Sequence, residues 1–148
     1  MATIHATCVA LQGAGVLLRG PSGSGKSDLA LRLIDGGALL VADDRVALTL
    51  EDGRVMARPP AALAGFLEVR GIGPVPMPAT APAPVALVVD LVPGGPIERL
   101  PEPRNCAYLG VLLPRFALDP FESSAPSKVR LMVDATVAAD SWPSLSTP

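Results

Sequence analysis

The chain has 148 residues, a length that suits one domain with one hydrophobic core. Its 12 Lys and Arg against 14 Asp and Glu give a net charge of −2, so it lacks the basic field of a general nucleic-acid binder. The N-terminus lacks a signal-peptide pattern, and no apolar run reaches the roughly 20 residues of a membrane span. We therefore expect a cytoplasmic protein that binds neither nucleic acid nor membrane, with Cys8 and Cys106 as reduced thiols.

In the first third of the chain, the sequence predicts two strands, then a helix, then a third strand. Two short strands are predicted in the apolar runs HATCVALQG and GVLLRG, joined around Gly13 and Gly15. A helix follows in KSDLALRLID, because its apolar residues recur at helical spacing and Gly36 and Gly37 stop it. The next run, ALLVADD, stays apolar until it ends in two acids, which is typical of a buried strand.

The middle of the chain predicts further strands. Asp52-Gly53 separates two alternating segments, which indicates a hairpin with a tight turn. A short helix that runs into a glycine-rich loop is predicted in PPAALAGFLEVRGIG, and residues 74–84, rich in Pro and Ala, predict a mobile, polyproline-like loop. A buried strand is predicted in PVALVVDLV and a pair of short strands in YLGVLLPRFAL.

The last predicted element is a helix in SKVRLMVDATVAAD, with Ser127 available as its N-cap. We assign residues 1–140 to a single domain and residues 141–148 to a flexible tail. The elements together predict an α/β fold, a compact P-loop domain with a mixed sheet and few helices. The apolar face of the last helix consists of Val129, Met132, Val133 and Val137.

Residues 20–27 fit the pattern Gly-x-x-x-x-Gly-Lys-Ser of a Walker A loop, and they lie between a predicted strand and a predicted helix. In such a loop, backbone N–H groups and the helix N-terminus surround phosphate oxygens, while Lys26 neutralises them and Ser27 binds Mg²⁺. The alternative is a glycine-rich turn with a chance Lys-Ser. The predicted nucleotide-binding residues are Gly20, Pro21, Ser22, Gly23, Ser24, Gly25, Lys26 and Ser27.

Two adjacent acids, Asp43 and Asp44, follow the predicted strand ALLVA. Their mutual repulsion at the end of a buried strand is costly unless a cation offsets it. One acid can orient Mg²⁺ directly or through water, while the other accepts a proton from an attacking hydroxyl. The alternative is that both acids cap the turn after the strand.

Four further charged or titratable residues are ambiguous from the pattern alone. Glu68 and Arg70 lie in LEVRGIG, where they either bind metal and phosphate or form a surface ion pair. His5 is the single histidine, and a histidine at the start of a strand is more often a bystander than a catalyst. Arg99 lies in PIERLP, and most arginines are simply surface residues.

Three segments together resemble the catalytic domain of the bacterial HPr kinase/phosphorylase family. They are GVLLRGPSGSGKSDLALRLI, LVADDRV and LEVRGIG, and they cover about the first half of the chain in order. The resemblance implies the P-loop fold shared by HPr kinase and PEP carboxykinase. The chain is similar to the truncated proteobacterial form of the family, which lacks a separate N-terminal domain.

The resemblance implies a role for each ambiguous residue except Arg70. Residues 20–27 are the ATP site, and Ser27 and Glu68 bind Mg²⁺, with Asp43 as a further candidate ligand. Asp44 matches the family's proton acceptor. The two remaining candidates for catalysis are His5, which matches a histidine ahead of the loop, and Arg99, which matches the catalytic arginine.

The implied reaction is transfer of phosphate from ATP to a serine of an HPr-like phosphocarrier protein, and the family's hexamers imply a possible homo-oligomer. The same site reverses the transfer when inorganic phosphate attacks phosphoserine. The family's Pro-Gly-Arg loop is replaced here by LDPFESSAPSKVRL, so kinase activity is better supported than phosphorylase activity. Lys128 and Arg130 are candidates for the missing positive charge.

Two other functions stay open. One is a P-loop kinase for a small metabolite, and the other is a nucleotide-sensing interaction module that binds ATP and a partner without catalysis. A GTPase switch is disfavoured, because the chain has no Asn-Lys-x-Asp motif.

Overall fold

The computed structural model describes residues 1–141, which form a mixed sheet with two helices on one face. It confirms the predicted α/β fold. Among these residues no helix combines the length and apolar character needed to cross a membrane. The helices are α1 Lys26–Asp35 and α2 Ala125–Ser141, with a 3-10 turn at Ala61–Leu63. The strands are β1 Ala2–His5, β2 Thr7–Leu11, β3 Ala14–Arg19, β4 Leu39–Ala42, β5 Arg45–Glu51, β6 Arg54–Arg58, β7 Phe66–Val69, β8 Gly73–Pro76, β9 Ala83–Leu91, β10 Arg104–Tyr108 and β11 Val111–Leu118.

Within residues 1–141, nine strands form one sheet. Seven of them follow the order β1-β5-β6-β9-β3-β2-β4, and the other two are the hairpin β10–β11, in which β11 pairs with β9. β7 and β8 form a separate hairpin. β9 runs parallel to β3 and β11, while β2 is antiparallel to both β3 and β4. The strands β4, β3, β9 and β11 therefore all end at the same edge of the sheet, which we call the carboxyl edge.

Both faces of the central strands are covered. One face packs against the helices, where Leu18 of β3 meets Leu33 of α1 in a fully buried cluster. The other face packs against the curled β1-β5-β6 end of the sheet, where Leu17 and Leu48 belong to a second buried cluster. Double-sided burial explains why β2 and β3 are apolar without alternation.

The structure confirms most of the predicted elements. Helix α1 ends at Gly36 and Gly37, and the hairpin β5–β6 turns at Asp52-Gly53, where both residues have positive φ. The predicted apolar face of α2 packs on the helix-side cluster, with Val129 and Val133 buried. Cys8 and Cys106 are free thiols, and burial raises the pKa of Cys8 to about 12.

The start and end of α2 differ from the prediction. The helix begins at Ala125, so Ser127 lies inside its first turn and is not the N-cap. Pro126 explains the earlier start, because proline lacks an N–H group and is tolerated only in a first turn. Ser141, assigned to the tail, is the last residue of α2, and the rest of the predicted tail, residues 142–148, lies outside the described residues.

The chain around the first two predicted strands also differs from the prediction. Gly13 lies in the turn between β2 and β3, but Gly15 lies inside β3. A Cβ on Gly15 would lie 2.8 Å from the backbone oxygen of Pro84, so this close approach of β3 to β9 requires glycine. His5 ends β1 rather than starting a strand, because β1 pairs with β5 while β2 pairs with β3 and β4.

The two ends of the segment 74–84 lie in strands, which contradicts the predicted irregular loop there, whereas residues 77–82 form no strand. Residues 74–76 belong to β8, and residues 83–84 belong to β9. Between these strands the N–H of Leu40 donates to the oxygen of Pro78 (2.8 Å), and the N–H of Thr80 donates to the oxygen of Leu40 (2.9 Å). Strand β4 is an edge strand with unpaired backbone groups, and this segment satisfies two of them.

A charged cluster joins the ends of β3 and β9 just before the phosphate loop. Arg19 donates two hydrogen bonds to Asp90, at 2.7 and 2.9 Å, and a third to the hydroxyl of Tyr108. Arg115 of β11 donates to the same carboxylate. Burial by itself would raise the pKa of Asp90, but the two guanidinium groups outweigh it and hold the pKa below its usual value. The cluster fixes three neighbouring strands at the carboxyl edge.

We expect Asp90→Asn to destabilise the fold by about 2 kcal/mol at neutral pH, because it leaves two part-buried guanidinium groups without a counter-charge. The pKa of Asp90 is lower in the folded protein than in the unfolded chain, where it is about 3.9. Its ionised carboxylate therefore stabilises the fold above that pH, and this stabilisation is lost as the pH falls through the lower pKa of the folded state. The difference in free energy of unfolding between wild type and variant, measured with urea, should therefore become smaller below about pH 4. Glu51→Gln, which breaks the exposed pair with Arg58, is the control and should change the unfolding midpoint much less.

Candidate functional site

A cleft of about 670 Å³ opens at the carboxyl edge of the sheet. Its walls are the phosphate loop with the start of α1, the ends of β1 and β4, and the hairpin β7–β8. One cleft thus brings together segments that lie far apart in the sequence. The predicted site residues that line it are His5, Ser22, Gly23, Gly25, Lys26, Ser27, Asp43, Asp44 and Glu68.

Gly20, Pro21 and Ser24 of the predicted loop do not line this cleft, and neither do three charged candidates. Arg99 lies between β9 and β10 and is not among the lining residues. Lys128 forms an ion pair with Glu122 at 2.7 Å, and Arg130 donates to the oxygen of Leu33 at the end of α1 (3.4 Å). Neither Lys128 nor Arg130 brings its positive charge to the cleft in this structure.

The phosphate loop is shaped by its glycines. Gly23 and Gly25 have φ of 83° and 95°, which an L side chain rarely adopts. The oxygen of Gly25 accepts the N–H of Leu29 (2.9 Å), so α1 begins directly at the end of the loop. The positive end of the helix dipole therefore faces the cleft, as a phosphate site requires.

Lys26 lies across this loop. Its Nζ donates to the backbone oxygens of Gly20 (2.6 Å) and Pro21 (3.0 Å), and the residue is buried. Burial lowers the pKa of Lys26, while the nearby carboxylates of Asp44 and Asp43 oppose that change. The ammonium group therefore lines the cleft within the electrostatic field of both acids.

The loop residues fit a phosphate chain. The hydroxyl of Ser24 is buried and has no hydrogen-bond partner among the described residues. A buried polar group without a partner is rare, and a water molecule would satisfy this one. The Ser24 hydroxyl lies beside Gly20 and does not line the cleft, so the lysine and the helix N-terminus are the loop's donors for a polyphosphate.

Asp43 is the central hydrogen-bond acceptor of the site. Its Oδ1 accepts bonds from the hydroxyls of Thr7 and Ser27, both at 3.0 Å, and its Oδ2 accepts the N–H of Glu68 at 2.9 Å. Its side chain is buried, with 8% of the residue exposed. One carboxylate therefore connects β2, the start of α1 and the hairpin β7–β8.

The pair of Ser27 and Asp43 fits Mg²⁺ as well. A hydroxyl and a carboxylate are hard oxygen ligands, and Mg²⁺ usually takes one or two carboxylates, substrate phosphates and several waters. Within the described part of the chain, no group of three or more His, Cys, Asp or Glu side chains is arranged to hold a metal. A metal at this site would consequently depend on bound phosphate for part of its coordination.

Asp44 faces the same cleft from a strained turn. Its φ is 67°, and the N–H of Arg45 donates to the oxygen of Asp43 (2.7 Å), which makes Asp44 the middle of a three-residue turn. Its Oδ1 lies 2.9 Å from Nε2 of His5, and its side chain is 60% exposed. The turn directs the two adjacent acids differently, so that one is buried and one is open to a partner.

The hairpin β7–β8 forms the opposite lip of the cleft. Leu67 is buried in the helix-side cluster and anchors the hairpin, whereas Glu68 and Arg70 are exposed and line the cleft. The ion pairs of the described residues do not include one between Glu68 and Arg70, so the surface-pair alternative is not supported. Both side chains are available to a ligand.

Sequence analysis missed several residues of this cleft, among them Thr7, Leu31 and Phe121. Thr7 is fully buried and bonds Asp43, and the signal for it was a single hydroxyl in an otherwise apolar buried strand. Leu31 and Phe121 line the side of the cleft nearest α1. Nothing in the local sequence around Phe121 predicts that it returns to the phosphate loop.

Comparisons with known proteins agree with this geometry. A family model described as HPr serine kinase C-terminal domain matches residues 1–80, more than half of the chain. The HPr kinase/phosphorylase of Clostridium beijerinckii is 46% identical over 70 residues, which are 47% of this chain and 23% of that protein. The HPr kinase/phosphorylase of Enterococcus faecalis is 46% identical over 72 residues, 48% of this chain and 23% of that protein. The chain thus matches about a quarter of the length of these relatives.

A solved structure extends the similarity to nearly the whole fold. The Hpr(Ser) kinase/phosphatase from Coxiella burnetii superposes with a TM-score of 0.81 at 27% sequence identity. The match covers 91% of this chain and 95% of that one. The strands and helices after residue 80, where the family model ends, therefore also follow this fold.

Proposed function

The chain belongs to the HPr serine kinase C-terminal domain family, and from this we propose that it transfers the γ-phosphoryl group of ATP to a serine of an HPr-like phosphocarrier protein. One observation carries the proposal. The phosphate loop with Lys26, the pair of Ser27 and Asp43, and the exposed carboxylate of Asp44 all face one cleft. Phosphoryl transfer needs these three groups, for positioning, charge neutralisation and proton removal.

Residues 20–27 would hold the triphosphate, with Lys26 exchanging its two backbone acceptors for phosphate oxygens. Ser27 and Asp43 would hold Mg²⁺, and Glu68 is placed on the opposite lip to complete the binding of metal or phosphate. Bound Mg²⁺ would neutralise charge on the phosphate oxygens. Arg70 on the same hairpin would add positive charge.

Asp44 would act as the general base. It would take the proton of the serine hydroxyl as the serine oxygen bonds to the γ-phosphorus and the bond from that phosphorus to the bridging oxygen breaks, which releases ADP. His5 would hold the Asp44 carboxylate through the 2.9 Å contact between Nε2 and Oδ1. The 60% exposure of the Asp44 side chain leaves room for a serine presented by a partner protein.

Several finer points of the family resemblance stay predictions. The reverse reaction would use the same acid to return the proton to serine. The positive charge of the family's Pro-Gly-Arg loop would have to come from other residues, because Lys128 and Arg130 do not line the cleft. Arg99 would reach the site only through a movement of its segment or in an assembly of several chains. Homo-oligomerisation and a cytoplasmic location likewise rest on the resemblance and the composition.

The test is to incubate the protein with γ-labelled ATP, Mg²⁺ and the HPr-like carrier encoded in the same genome. We expect label on one serine of the carrier, and none on a carrier in which that serine is replaced by alanine. Lys26→Ala serves as the inactive control enzyme. Transfer to members of a metabolite panel instead of the carrier would favour a small-molecule kinase, and ATP binding without any transfer would favour a sensing module. Either result would overturn the proposal.

A further inference from the structure

We propose that Phe121 forms a nucleoside-binding platform, on which the base of the nucleotide stacks while residues 20–27 hold its phosphates. This inference rests on the proposed function only in requiring that ATP binds at the phosphate loop. It assigns a binding role to the segment after β11, which the family model, whose match ends at residue 80, does not reach. The resemblance in sequence identifies this segment only as the replacement of a Pro-Gly-Arg loop.

Phe121 is an exposed aromatic side chain in an unusual place. The chain has only three Phe, one Tyr and one Trp, and within the described residues Phe121 is the one aromatic that lines the cleft. It is 58% exposed, although aromatic rings gain more from burial than most side chains. Its ring touches the phosphate loop, because a Cβ added to Gly25 would lie 3.0 Å from Cζ of Phe121.

The backbone that carries this ring is fixed to α1. Arg32 donates to the backbone oxygen of Pro120, and also to that of Glu122 at 3.4 Å. The N–H of Phe121 donates to the side chain of Asp119 at 3.0 Å, which closes a tight turn. The ring is therefore held beside the loop by contacts that do not involve the ring itself, and more than half of the residue stays exposed.

The order of strands gives the direction in which the nucleotide lies. Neighbouring strands of the sheet follow the order β4-β2-β3-β9-β11, and the phosphate loop follows the central strand, β3. Asp44 follows β4, on one side of the loop, and Phe121 follows β11, on the other side. In phosphoryl transfer the attacking and leaving oxygens lie roughly in line with phosphorus between them. A serine that attacks from the side of Asp44 therefore requires the rest of the nucleotide to extend away from Asp44, toward Phe121.

The chemistry of this side of the cleft matches a base. Leu31 also lines the cleft and is half-buried against the helix-side cluster, so the cleft has a second apolar side chain besides the ring. A phenyl ring offers a π face and no hydrogen-bonding group. Such a face stacks on any base, so we expect this platform to contribute affinity rather than discrimination between adenine and guanine.

The experiment measures the dissociation constants of Mg·ATP and of Mg·tripolyphosphate by calorimetry, since tripolyphosphate has the phosphates without the nucleoside. For Phe121→Ala we expect ATP binding about 5- to 150-fold weaker and tripolyphosphate binding unchanged. Phe121→Trp should bind ATP at least as well as wild type. Phe66→Ala is the matched control, because Phe66 is 49% exposed on β7 and does not line the cleft.

Equal ATP affinity in wild type and Phe121→Ala would overturn the platform and leave the proposed kinase activity untouched. Equal losses for ATP and tripolyphosphate would also overturn it, because the ring would then act through the shape of the phosphate loop. A wild-type protein that binds neither ligand would overturn both this inference and the proposed function. If the wild-type protein did not transfer phosphate to the carrier, but Phe121→Ala still bound ATP more weakly than wild type, only the proposed function would be overturned.

Discussion

Asp44→Asn is expected to slow phosphoryl transfer to the carrier about 10²- to 10⁴-fold while ATP affinity stays close to that of wild type. The amide cannot accept the serine proton, but it keeps the size and hydrogen-bonding capacity of the side chain. Asparagine also tolerates positive φ, so the turn at 67° should survive the substitution, which alanine would strain. The loss would therefore report on proton removal and not on the fold. Single-turnover measurements with bound ATP isolate this step.

Asp52→Asn is a matched control for this substitution. Asp52 is another exposed acid at positive φ, 52°, but it lies in the turn between β5 and β6 and does not line the cleft. Its rate of transfer should equal that of wild type. If Asp44→Asn retained an undiminished rate of chemistry, Asp44 would be removed from the base role, and His5 at 2.9 Å would be the next candidate to test.

The sequence predicts those parts of the site whose structure is determined by residues close together in the chain. The Walker A loop is a contiguous motif whose glycines are needed for backbone geometry, and the structure shows positive φ at Gly23 and Gly25. The acid pair follows a strand whose continuous apolar run predicts burial, and β4 is that strand. Local patterns of this kind identify the residues that hold phosphate and carry charge.

The parts that the sequence does not predict depend on distant pairing. Residues 78–80 have no pattern of their own, because their partner is the free edge of β4 some forty residues earlier. Phe121 reaches Gly25 only because β11 joins the sheet beside β9, and no local pattern specifies that neighbour. Arg99 shows the opposite limit, since it matches the family's catalytic arginine in the sequence and yet does not line the cleft.

Asp43→Asn should affect both stability and the use of Mg²⁺, because one carboxylate serves three donors and a metal ligand. Asparagine has a single acceptor oxygen, so at least one of the donors from Thr7, Ser27 and Glu68 would be left facing an N–H₂ group. We expect a loss of about 2 kcal/mol in the free energy of unfolding. The Mg²⁺ concentration needed for half-maximal transfer should rise about 10- to 100-fold.

Thr7→Val separates the two effects of that substitution. Valine has nearly the same shape as threonine, and the change removes one hydroxyl donor to Asp43 while both proposed metal ligands, Ser27 and Asp43, keep their side chains. It should cost about 1 kcal/mol of stability and leave the Mg²⁺ requirement near that of wild type. If Thr7→Val raised the Mg²⁺ requirement as much as Asp43→Asn, the carboxylate would influence the metal only by shaping the site. If neither variant changed it, Asp43 would be a structural hub, and the metal would have to be held from the side of Glu68.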